Sequence, residues 1–491
     1  MNVRNLLQNL KIETRAYING EFVESSSGGK IKKVSSIDGS ILPEITACNE
    51  DDVNLAVTAA KNAFKNWAAL TPFDRKNYLL KLANLMEENR QELALLDTYE
   101  TGRAYKNYFY DSIPKSIEAI RYFAESVDKY YDKAIPARGN EFGVVVRVPL
   151  GVVGAITPWN DPLVVSAWKF APALLMGNTI VIKPAEQSSM SLLKVAALSK
   201  IAGIPSGVFN VVPGYGEITG KALALHNDVR GIFFTGSSAT GKQILTCAGQ
   251  SNMKKVALEC GGKGAYIVTK NCGNIAESAK VLAENMFYNQ GQICSAPSRV
   301  IIDESKFESF LECLKIECEK FVPGDSFDDE NNVGCVVSDE QFKKIQTYIE
   351  IAKNEGAEIY QAKTVKPHSD KARCIQPTII INPAVTSKVA TEEIFGPVVV
   401  ILPVKSTEDA LKVANNSNYG LAGAVWTDNL DEAFNVAKNL EVGLVHINSY
   451  GNDDNSAPFG GVKESGLGKD KSVYSFEEYS DLKTVWLHSH T

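Results

Sequence analysis

The spacing of hydrophobic side chains changes from a helical to a strand-like pattern near residue 143. Before it, apolar residues recur every three or four positions over 52–70, 75–99 and 113–131, which predicts three amphipathic helices. After it come runs of β-branched residues at 144–148, 152–156, 179–182, 208–212 and 231–234. The last four lie about 25 residues apart with helical stretches between them, which indicates βαβ units in a parallel sheet.

A second alternation of strands and helices begins after residue 262. Its predicted strands are 265–268, 299–302, 397–404 and 444–448, and its predicted helices are 274–289, 304–320 and 407–414. A chain of 491 residues is long enough for more than one core. The sequence therefore predicts an α/β protein with two α/β domains.

Composition narrows the possible partners. The formal charge is −7 and no Lys/Arg-rich block occurs, so we expect neither nucleic acid nor an anionic membrane as a partner. No long uncharged apolar run and no signal-peptide pattern is present, which favours a cytoplasmic protein. The nine cysteines form no CxxC pair and the five histidines show no zinc spacing, so we expect reduced thiols and no metal site.

Two glycine clusters suggest phosphate-binding loops. Gly214, Gly216 and Gly220 are spaced one residue too widely for GxGxxG, so we interpret the first two as turn residues. The segment 236–242 follows a predicted strand and opens a helix, where N–H groups can face a phosphate. Gln243 stands where a P-loop needs the Ser or Thr that holds Mg²⁺, which argues against an ATPase. An ordinary Ser/Thr-capped helix is the alternative.

Three further residues carry chemistry at suggestive positions. Lys183 ends a predicted strand and Glu186 follows three residues later, beyond the carboxyl ends of the strands, where an open α/β sheet binds its ligands. This pair is therefore a candidate to hold sugar hydroxyls, and a solvent-exposed ion pair is the alternative. Cys294 lies in a polar, glycine-containing segment after a helix, where a thiol can be accessible and act as a nucleophile. A buried core cysteine is the alternative there, and it is our prediction for Cys313 and Cys318.

Eight segments in order resemble one enzyme family. They are PWN (158–160), WKFAPALLMGN (168–178), IKPAE (182–186), FTGSSATG (234–241), LECGGK (258–263), FYNQGQIC (287–294), EEIFGP (392–397) and PFGGVKESGLG (458–468). The chain resembles the NAD(P)-dependent aldehyde dehydrogenases from residue 17 to its end. The segments 111–131, 251–259 and 469–486 are similar to the gamma-glutamyl-aminobutyraldehyde and aminoaldehyde branch.

The resemblance implies an architecture of three parts. These are a Rossmann-type NAD-binding domain (1–127 and 151–261), an α/β catalytic domain (262–468) and a small β oligomerisation element (128–150 and 469–491). In the last, the segment 128–150 would pair with the strand near 482–487. A homodimer or homotetramer is expected, because an exposed sheet edge favours closed assemblies.

The resemblance also implies a mechanism. The Cys294 thiolate attacks the aldehyde, and the Asn160 side chain with the Cys294 N–H holds the oxyanion. Hydride passes to the nicotinamide, and Glu259 activates the water that hydrolyses the thioester. A cofactor-independent thiol esterase or acyltransferase, and a catalytically silent relative, are the alternatives from other classes.

For the cofactor, the resemblance implies NAD in preference to NADP, because Glu186 would repel a 2′-phosphate. The positions implied to bind it are Ile156, Trp159, Lys183, Glu186, Gly236, Ser237, Glu393 and Phe395.

One departure from the family pattern bears on the class of substrate. Asp161 stands where an aromatic residue is usual and where the family's substrate tunnel lies, between the aromatic walls Trp168, Tyr288 and Phe459. We predict that it pairs with the cation of an ω-amino or similar aldehyde, with secondary contacts from Asp111, Asp453 and Asp454. A helix cap is the alternative role for Asp161, and a neutral aliphatic or aromatic aldehyde is the alternative substrate.

Overall fold

The computed structural model describes residues 3–7, 9–136, 141–328, 330–451 and 454–488. The α-helices are α1 (Val3–Leu7), α2 (Glu50–Ala69), α3 (Pro72–Glu88), α4 (Arg90–Thr101), α5 (Tyr105–Asn107), α6 (Ile113–Glu125), α7 (Pro162–Leu175), α8 (Met190–Ile201), α9 (Lys221–Leu225), α10 (Ser238–Gln250), α11 (Ile275–Phe287), α12 (Phe307–Cys318), α13 (Asp339–Asn354), α14 (Lys388–Thr391), α15 (Thr407–Asn415) and α16 (Leu430–Asn439).

The strands follow the same chain order. They are β1 (Ala16–Ile18), β2 (Glu21–Val23), β3 (Lys30–Ile31), β4 (Ile45–Thr46), β5 (Lys133–Ile135), β6 (Glu141–Pro149), β7 (Val152–Ile156), β8 (Thr179–Lys183), β9 (Phe209–Val211), β10 (Val229–Thr235), β11 (Lys255–Glu259), β12 (Ala265–Val268), β13 (Arg299–Asp303), β14 (Glu358–Gln361), β15 (Thr378–Ile381), β16 (Val398–Val404), β17 (Tyr419–Gly420), β18 (Ala422–Trp426), β19 (Leu444–Ile447), β20 (Val462–Lys463), β21 (Gly466–Leu467) and β22 (Ser480–His488).

Two large sheets organise the molecule. The first has the order β2-β1-β9-β8-β7-β10-β11-β21, and its five central strands are parallel. The second has the order β14-β15-β16-β13-β12-β18-β19 and is parallel except at β14. Nearly continuous apolar strands such as β7 and β12 are buried along their whole length, as parallel strands covered by helices must be. The predicted α/β class with parallel sheets is confirmed.

A third sheet is antiparallel and carries an exposed apolar surface. β22 pairs with β6 over nine residues, from Ser480 opposite Pro149 to His488 opposite Glu141, and β5 flanks β6. The predicted strand at 144–148 is therefore longer and lies in this sheet. Leu482, Trp486 and Leu487 are more than half exposed on β22. The predicted pairing of 128–150 with the C-terminal strand is confirmed, whereas the domain boundaries and the oligomeric role stay predictions.

The helix prediction for 75–99 is wrong in one respect. Two helices, α3 and α4, meet at Asn89, whose side-chain amide donates a hydrogen bond to the carbonyl oxygen of Leu85 and so ends the first helix. The spacing of apolar residues does not reveal such a break, because the buried positions 79, 86, 93 and 100 keep a helical spacing across it.

In the described part of the chain no helix is long and apolar enough to span a membrane.

Candidate active site

A cavity of about 210 Å³ lies at the carboxyl ends of β10 and β11, where a parallel sheet binds its ligands. Ten of the predicted site residues line it. They are Trp159, Asn160, Trp168, Gly236, Ser237, Glu259, Cys294, Glu393, Phe395 and Phe459. Six further predicted residues lie outside the lining of this cavity: the cofactor residues Ile156, Lys183 and Glu186, and the substrate residues Asp111, Asp161 and Tyr288.

Cys294 faces the cavity from a turn that follows α11. The helix ends at Phe287, and Asn289 and Gln290 adopt left-handed backbone angles that turn the chain back toward the sheet. A Cβ atom on Gly262 would lie 2.6 Å from the carbonyl oxygen of Cys294, so only glycine lets the two backbones approach. Burial, with the charges of Glu393 and Glu259, raises the pKa of the Cys294 thiol.

Asn160 is held against the turn that carries Cys294. The side-chain amide of Asn160 donates to the backbone carbonyl oxygen of Gln292 at 3.1 Å. The backbone carbonyl oxygen of Asn160 accepts from the side-chain amide of Asn289 at 3.0 Å. The Asn160 amide has two hydrogens, so one remains for a further acceptor. This side chain lines the same cavity as Cys294 and can donate to an oxyanion there.

Glu259 ends β11 with an unsatisfied carboxylate. Its side chain is buried, and neither of its oxygens has a hydrogen-bond partner among the described residues. Burial and the charge of Asp470 raise the pKa of Glu259 well above its usual range, while Lys169 opposes the shift. A buried carboxyl group with free oxygens and a raised pKa is suited to bind and deprotonate a water molecule.

An ion pair missed by the sequence analysis lies beside this carboxylate. Lys169 on α7 donates to Asp470 at 2.6 Å, and both side chains are buried. Asp470 also lines the cavity, so the pair sets the local field at Glu259. The available signal was a single lysine within the apolar sequence of α7, since a buried lysine requires a partner.

The other end of the cavity fits a dinucleotide. Ser237 caps α10 by accepting a hydrogen bond from the Thr240 N–H, so the segment follows a strand and opens a helix, as the phosphate-binding interpretation and its capped-helix alternative both require. A Cβ on Gly236 would lie 2.5 Å from the Phe234 ring, so only glycine lets the backbone at 236 pass this close to the ring. The cap uses only one of the first helical N–H groups, and the others can meet a diphosphate. These features fit NAD, whose nicotinamide end would lie toward Glu393 and Phe395.

Glu393 and Phe395 close the cavity on the side of the second sheet. Glu393 accepts a hydrogen bond from the Gly262 N–H at 2.9 Å, and burial raises its pKa. Phe395 adopts a left-handed backbone with φ of 58° and packs edge-on against Trp159, with ring centroids 5.3 Å apart. Glu393 therefore contacts Gly262, the glycine that also lies against the backbone of Cys294.

Lys183 and Glu186 form a pair that is only partly exposed. Their charged atoms are 3.1 Å apart, and Glu186 also accepts from the Gly216 N–H at 2.6 Å. Lys183 is 3% exposed, so the solvent-exposed pair offered as the alternative is wrong for the lysine. Burial lowers the pKa of Lys183, and Glu186 opposes that shift. Ile156 stands opposite Lys183 in the sheet register.

Asp161 has a partner that the sequence did not reveal. Its carboxylate lies 3.5 Å from the guanidinium of Arg103, which is buried between the rings of Tyr108 and Tyr288. Asp161 occupies the N-cap position of α7 but makes no capping hydrogen bond, so the helix-cap alternative is wrong. Arg103 follows the glycine that ends α4, and no sequence spacing connects it with Asp161.

Two of the remaining substrate candidates, Tyr288 and Asp111, lie beside the same guanidinium. Tyr288 donates to Asp111 at 2.5 Å, and Arg103 hydrogen-bonds Tyr288. Trp168 and Phe459 pack together with ring centroids 5.5 Å apart. Asp453 lies outside the described residues, and exposed Asp454 accepts from the Ser456 N–H. No group of three metal-ligating side chains occurs in the described ranges.

Comparison with known proteins decides the family. A profile described as "Aldehyde dehydrogenase family" matches residues 22–485. The chain belongs to the aldehyde dehydrogenase family. It is 40% identical over 480 residues to the "NADP/NAD-dependent aldehyde dehydrogenase PuuC" of Escherichia coli, covering 97% of this chain and 96% of the relative. It is 37% identical over 481 residues to the aminoacetaldehyde dehydrogenase of Pseudomonas aeruginosa, covering 97% and 96%.

Solved aldehyde dehydrogenase structures superpose closely. The gamma-glutamyl-gamma-aminobutyraldehyde dehydrogenase of Burkholderia cenocepacia has a TM-score of 0.95 at 39% identity, covering 99% of this chain and 100% of that one. The P. syringae indole-3-acetaldehyde dehydrogenase, solved with NAD+, has a TM-score of 0.96 at 39% identity, covering 99% of each chain. The predicted family, the class of NAD(P)-dependent aldehyde dehydrogenase and the fold are confirmed.

Proposed function

We propose that this aldehyde dehydrogenase converts an aldehyde to the carboxylic acid through a thioester on Cys294, hydrolysed by water that Glu259 activates. The observation that carries the proposal is one cavity lined by three groups: a thiol, an amide donor and an unsatisfied carboxylate. These are the nucleophile, the oxyanion donor and the general base that acyl chemistry requires. NADH formation from an aldehyde by the purified protein is the test, and its absence would favour a thiol esterase or acyltransferase.

The first half of the reaction takes place at Cys294. Its sulfur bonds to the aldehyde carbon, and the oxyanion that forms is met by the free hydrogen of the Asn160 amide and by the Cys294 N–H. Bound NAD supplies the hydride acceptor and a positive charge that favours the thiolate. The hydrogen bond from Asn160 to the Gln292 carbonyl oxygen fixes the amide before substrate arrives, so little reorganisation is needed.

The second half depends on Glu259. A water molecule in the cavity donates a hydrogen bond to the free carboxylate oxygens, loses its proton to Glu259 and attacks the thioester carbon. The carbon–sulfur bond breaks, and Cys294 leaves as the thiolate. The raised pKa of Glu259 strengthens it as a base once it is deprotonated; burial is the main cause of that rise, Asp470 adds to it and Lys169 opposes it.

NAD is proposed as the preferred cofactor because of the charge of Glu186. Its carboxylate lies beside Lys183, the residue at the carboxyl end of the central strand β8, where sugar hydroxyls are expected to bind. Free hydroxyls can donate to this carboxylate, whereas the 2′-phosphate of NADP would be repelled.

Glu186→Gln is expected to raise the ratio of kcat/KM with NADP to kcat/KM with NAD by about tenfold, since one like charge near a partly exposed phosphate is removed. Glutamine still accepts hydrogen bonds from Lys183 and the Gly216 N–H. Glu217→Gln, the same change on an exposed neighbour, is the matched control. An unchanged ratio in Glu186→Gln would refute the assignment.

We propose an ω-amino or similar cationic aldehyde as substrate. Two relatives carry amino aldehydes in their names, which supports this class. Asp111 already binds an ammonium group, because the Nζ of Lys115 lies 2.8 Å from its carboxylate. Lys115 is 55% exposed, so a substrate ammonium can replace it at low cost. Burial raises the pKa of Asp111, but hydrogen bonds from Lys115 and Tyr288 outweigh it and keep the pKa low.

Asp161 contributes less charge than the sequence analysis proposed, because burial raises its pKa and Arg103 lies 3.5 Å from it, closer than the 3.8 Å between Arg103 and Asp111. We expect Asp111→Asn to lower kcat/KM for 4-aminobutanal about fivefold relative to butanal, and Asp161→Asn to lower it less. Asp128→Asn, on an exposed aspartate, is the control. If neither active-site variant changes the preference, or if the wild type prefers butanal, a neutral aldehyde is the substrate.

A homo-oligomer, dimer or tetramer, is proposed from the third sheet. Phe142 on β6 is exposed on one face of this sheet with Val485 and Leu487 of β22, and Leu482 and Trp486 are exposed on the other face. Large exposed apolar patches of this kind mark interaction surfaces. Light scattering of the purified protein distinguishes the two assemblies.

A further inference from the structure

Two cysteines outside the cavity lie in contact. Cys335 and Cys374 are 39 residues apart in sequence, yet their sulfur atoms are 3.3 Å apart. Both are in irregular segments that run side by side, and the Val336 N–H donates to the Arg373 carbonyl oxygen at 2.9 Å. A disulfide requires a sulfur–sulfur distance of about 2.05 Å, so a movement of roughly 1 Å would bring the sulfurs to bonding distance.

The two thiols differ in access. Cys335 is 1% exposed, whereas Cys374 is partly exposed. A hydrogen bond with Cys374, together with burial, raises the pKa of Cys335. An oxidant from solution therefore meets Cys374 first, and Cys335 is the thiol placed to resolve the product.

The segments that carry this pair also hold the turn before Cys294. The Val337 N–H donates to the Gln292 side chain at 2.9 Å, and the Ile375 N–H donates to the Gln290 side chain at 3.4 Å. Both glutamines are buried, and the Gln292 carbonyl oxygen accepts from Asn160. Each cysteine is thus two residues or fewer from a backbone group that positions the catalytic turn.

We propose that Cys335 and Cys374 are a redox modification site that closes to a disulfide under a peroxide and alters the catalytic turn through Gln290 and Gln292. The Cys374 thiolate attacks hydrogen peroxide and the oxygen–oxygen bond breaks, which gives a sulfenic acid and a hydroxide; the hydroxide takes up the proton that the Cys374 thiol had released and leaves as water. The Cys335 thiol then attacks that sulfur, the sulfur–oxygen bond breaks, and a second water leaves. The two thiols are oxidised by two electrons, and the peroxide is reduced to two waters.

The link to catalysis rests on the proposed function, whereas the disulfide does not. Peptide mapping after peroxide treatment tests the disulfide alone. Trypsin releases Cys335 in the peptide 321–343 and Cys374 in the peptide 374–388, since these are bounded by Lys or Arg. We expect a cross-linked pair that weighs two hydrogens less than the sum and disappears on reduction. It is expected in the wild type and in Cys313→Ser, and to be absent in Cys374→Ser.

Free thiols at both positions, at a peroxide dose that oxidises Cys294, would overturn the proposal, as would sulfonic acid at Cys374 without cross-linking.

A second experiment tests the link to catalysis. The kcat of enzyme that diamide has fully cross-linked is expected to fall at least threefold and to recover with dithiothreitol, while diamide changes the kcat of Cys374→Ser little. An unchanged kcat would overturn this link. If the reduced protein oxidises no aldehyde, the proposed function fails, and mapping still decides the disulfide.

Discussion

Replacing Cys294 by alanine is expected to lower NADH formation by about 10⁴-fold or more, because the covalent step loses the thiol on the turn that Asn160 contacts. Cofactor binding should persist, since Gly236, Ser237 and Glu393 are untouched. Stopped-flow fluorescence with NAD and an aldehyde measures the first effect, and calorimetric titration with NAD measures the second.

Cys260 provides a matched control, since its thiol lines the same cavity. Its sulfur packs against α10, since a Cβ atom on Gly241 would lie 2.8 Å from it, whereas Cys294 lies on the turn that Asn160 contacts. We expect Cys260→Ala to retain turnover within a few-fold. If Cys260→Ala were as inactive as Cys294→Ala, or if the latter stayed active, the assignment of the nucleophile would be wrong.

Glu259→Gln is expected to slow steady-state turnover by about 10²- to 10³-fold, because the thioester loses its general base. Hydride transfer precedes hydrolysis, so one NADH per active site should still form in a fast first turnover. Glu464→Gln, on a carboxylate paired with exposed Lys242, is expected to behave as the wild type. A variant that loses the first turnover as well would assign Glu259 to an earlier step.

The pH dependence of the wild type follows from the same residue. Glu259 accepts a proton only when it is ionised, and its pKa is raised by burial and by Asp470. Steady-state turnover should therefore rise with pH along a limb whose midpoint lies well above the usual glutamate value of about 4.3. Removing Glu259 should remove this limb from the residual turnover.

The sequence predicted the parallel strands well because they are buried on both faces and read as continuous apolar runs. The strands 152–156 and 265–268 have the predicted bounds. The break at Asn89 and the turn at Asn289 and Gln290 were not predicted, because both depend on local hydrogen bonds and backbone angles rather than on periodicity.

The site was predicted mainly from family motifs, and the misses lie between them. Cys294, Glu259 and Asn160 line one cavity, although they come from three distant segments. Arg103 was missed because its pairing with Asp161 depends on tertiary packing across 58 residues. A charge that looks unpaired in a sequence can thus be neutralised by a residue that no motif contains.

Intact mass spectrometry of Glu259→Gln, quenched after one turnover with NAD and aldehyde, decides whether the reaction passes through a thioester on Cys294. We expect one NADH per chain and an acyl group of the substrate on Cys294, absent in the Glu259→Gln, Cys294→Ala double variant. NADH formed without any acylated Cys294, or an acyl group located on another residue, would contradict it.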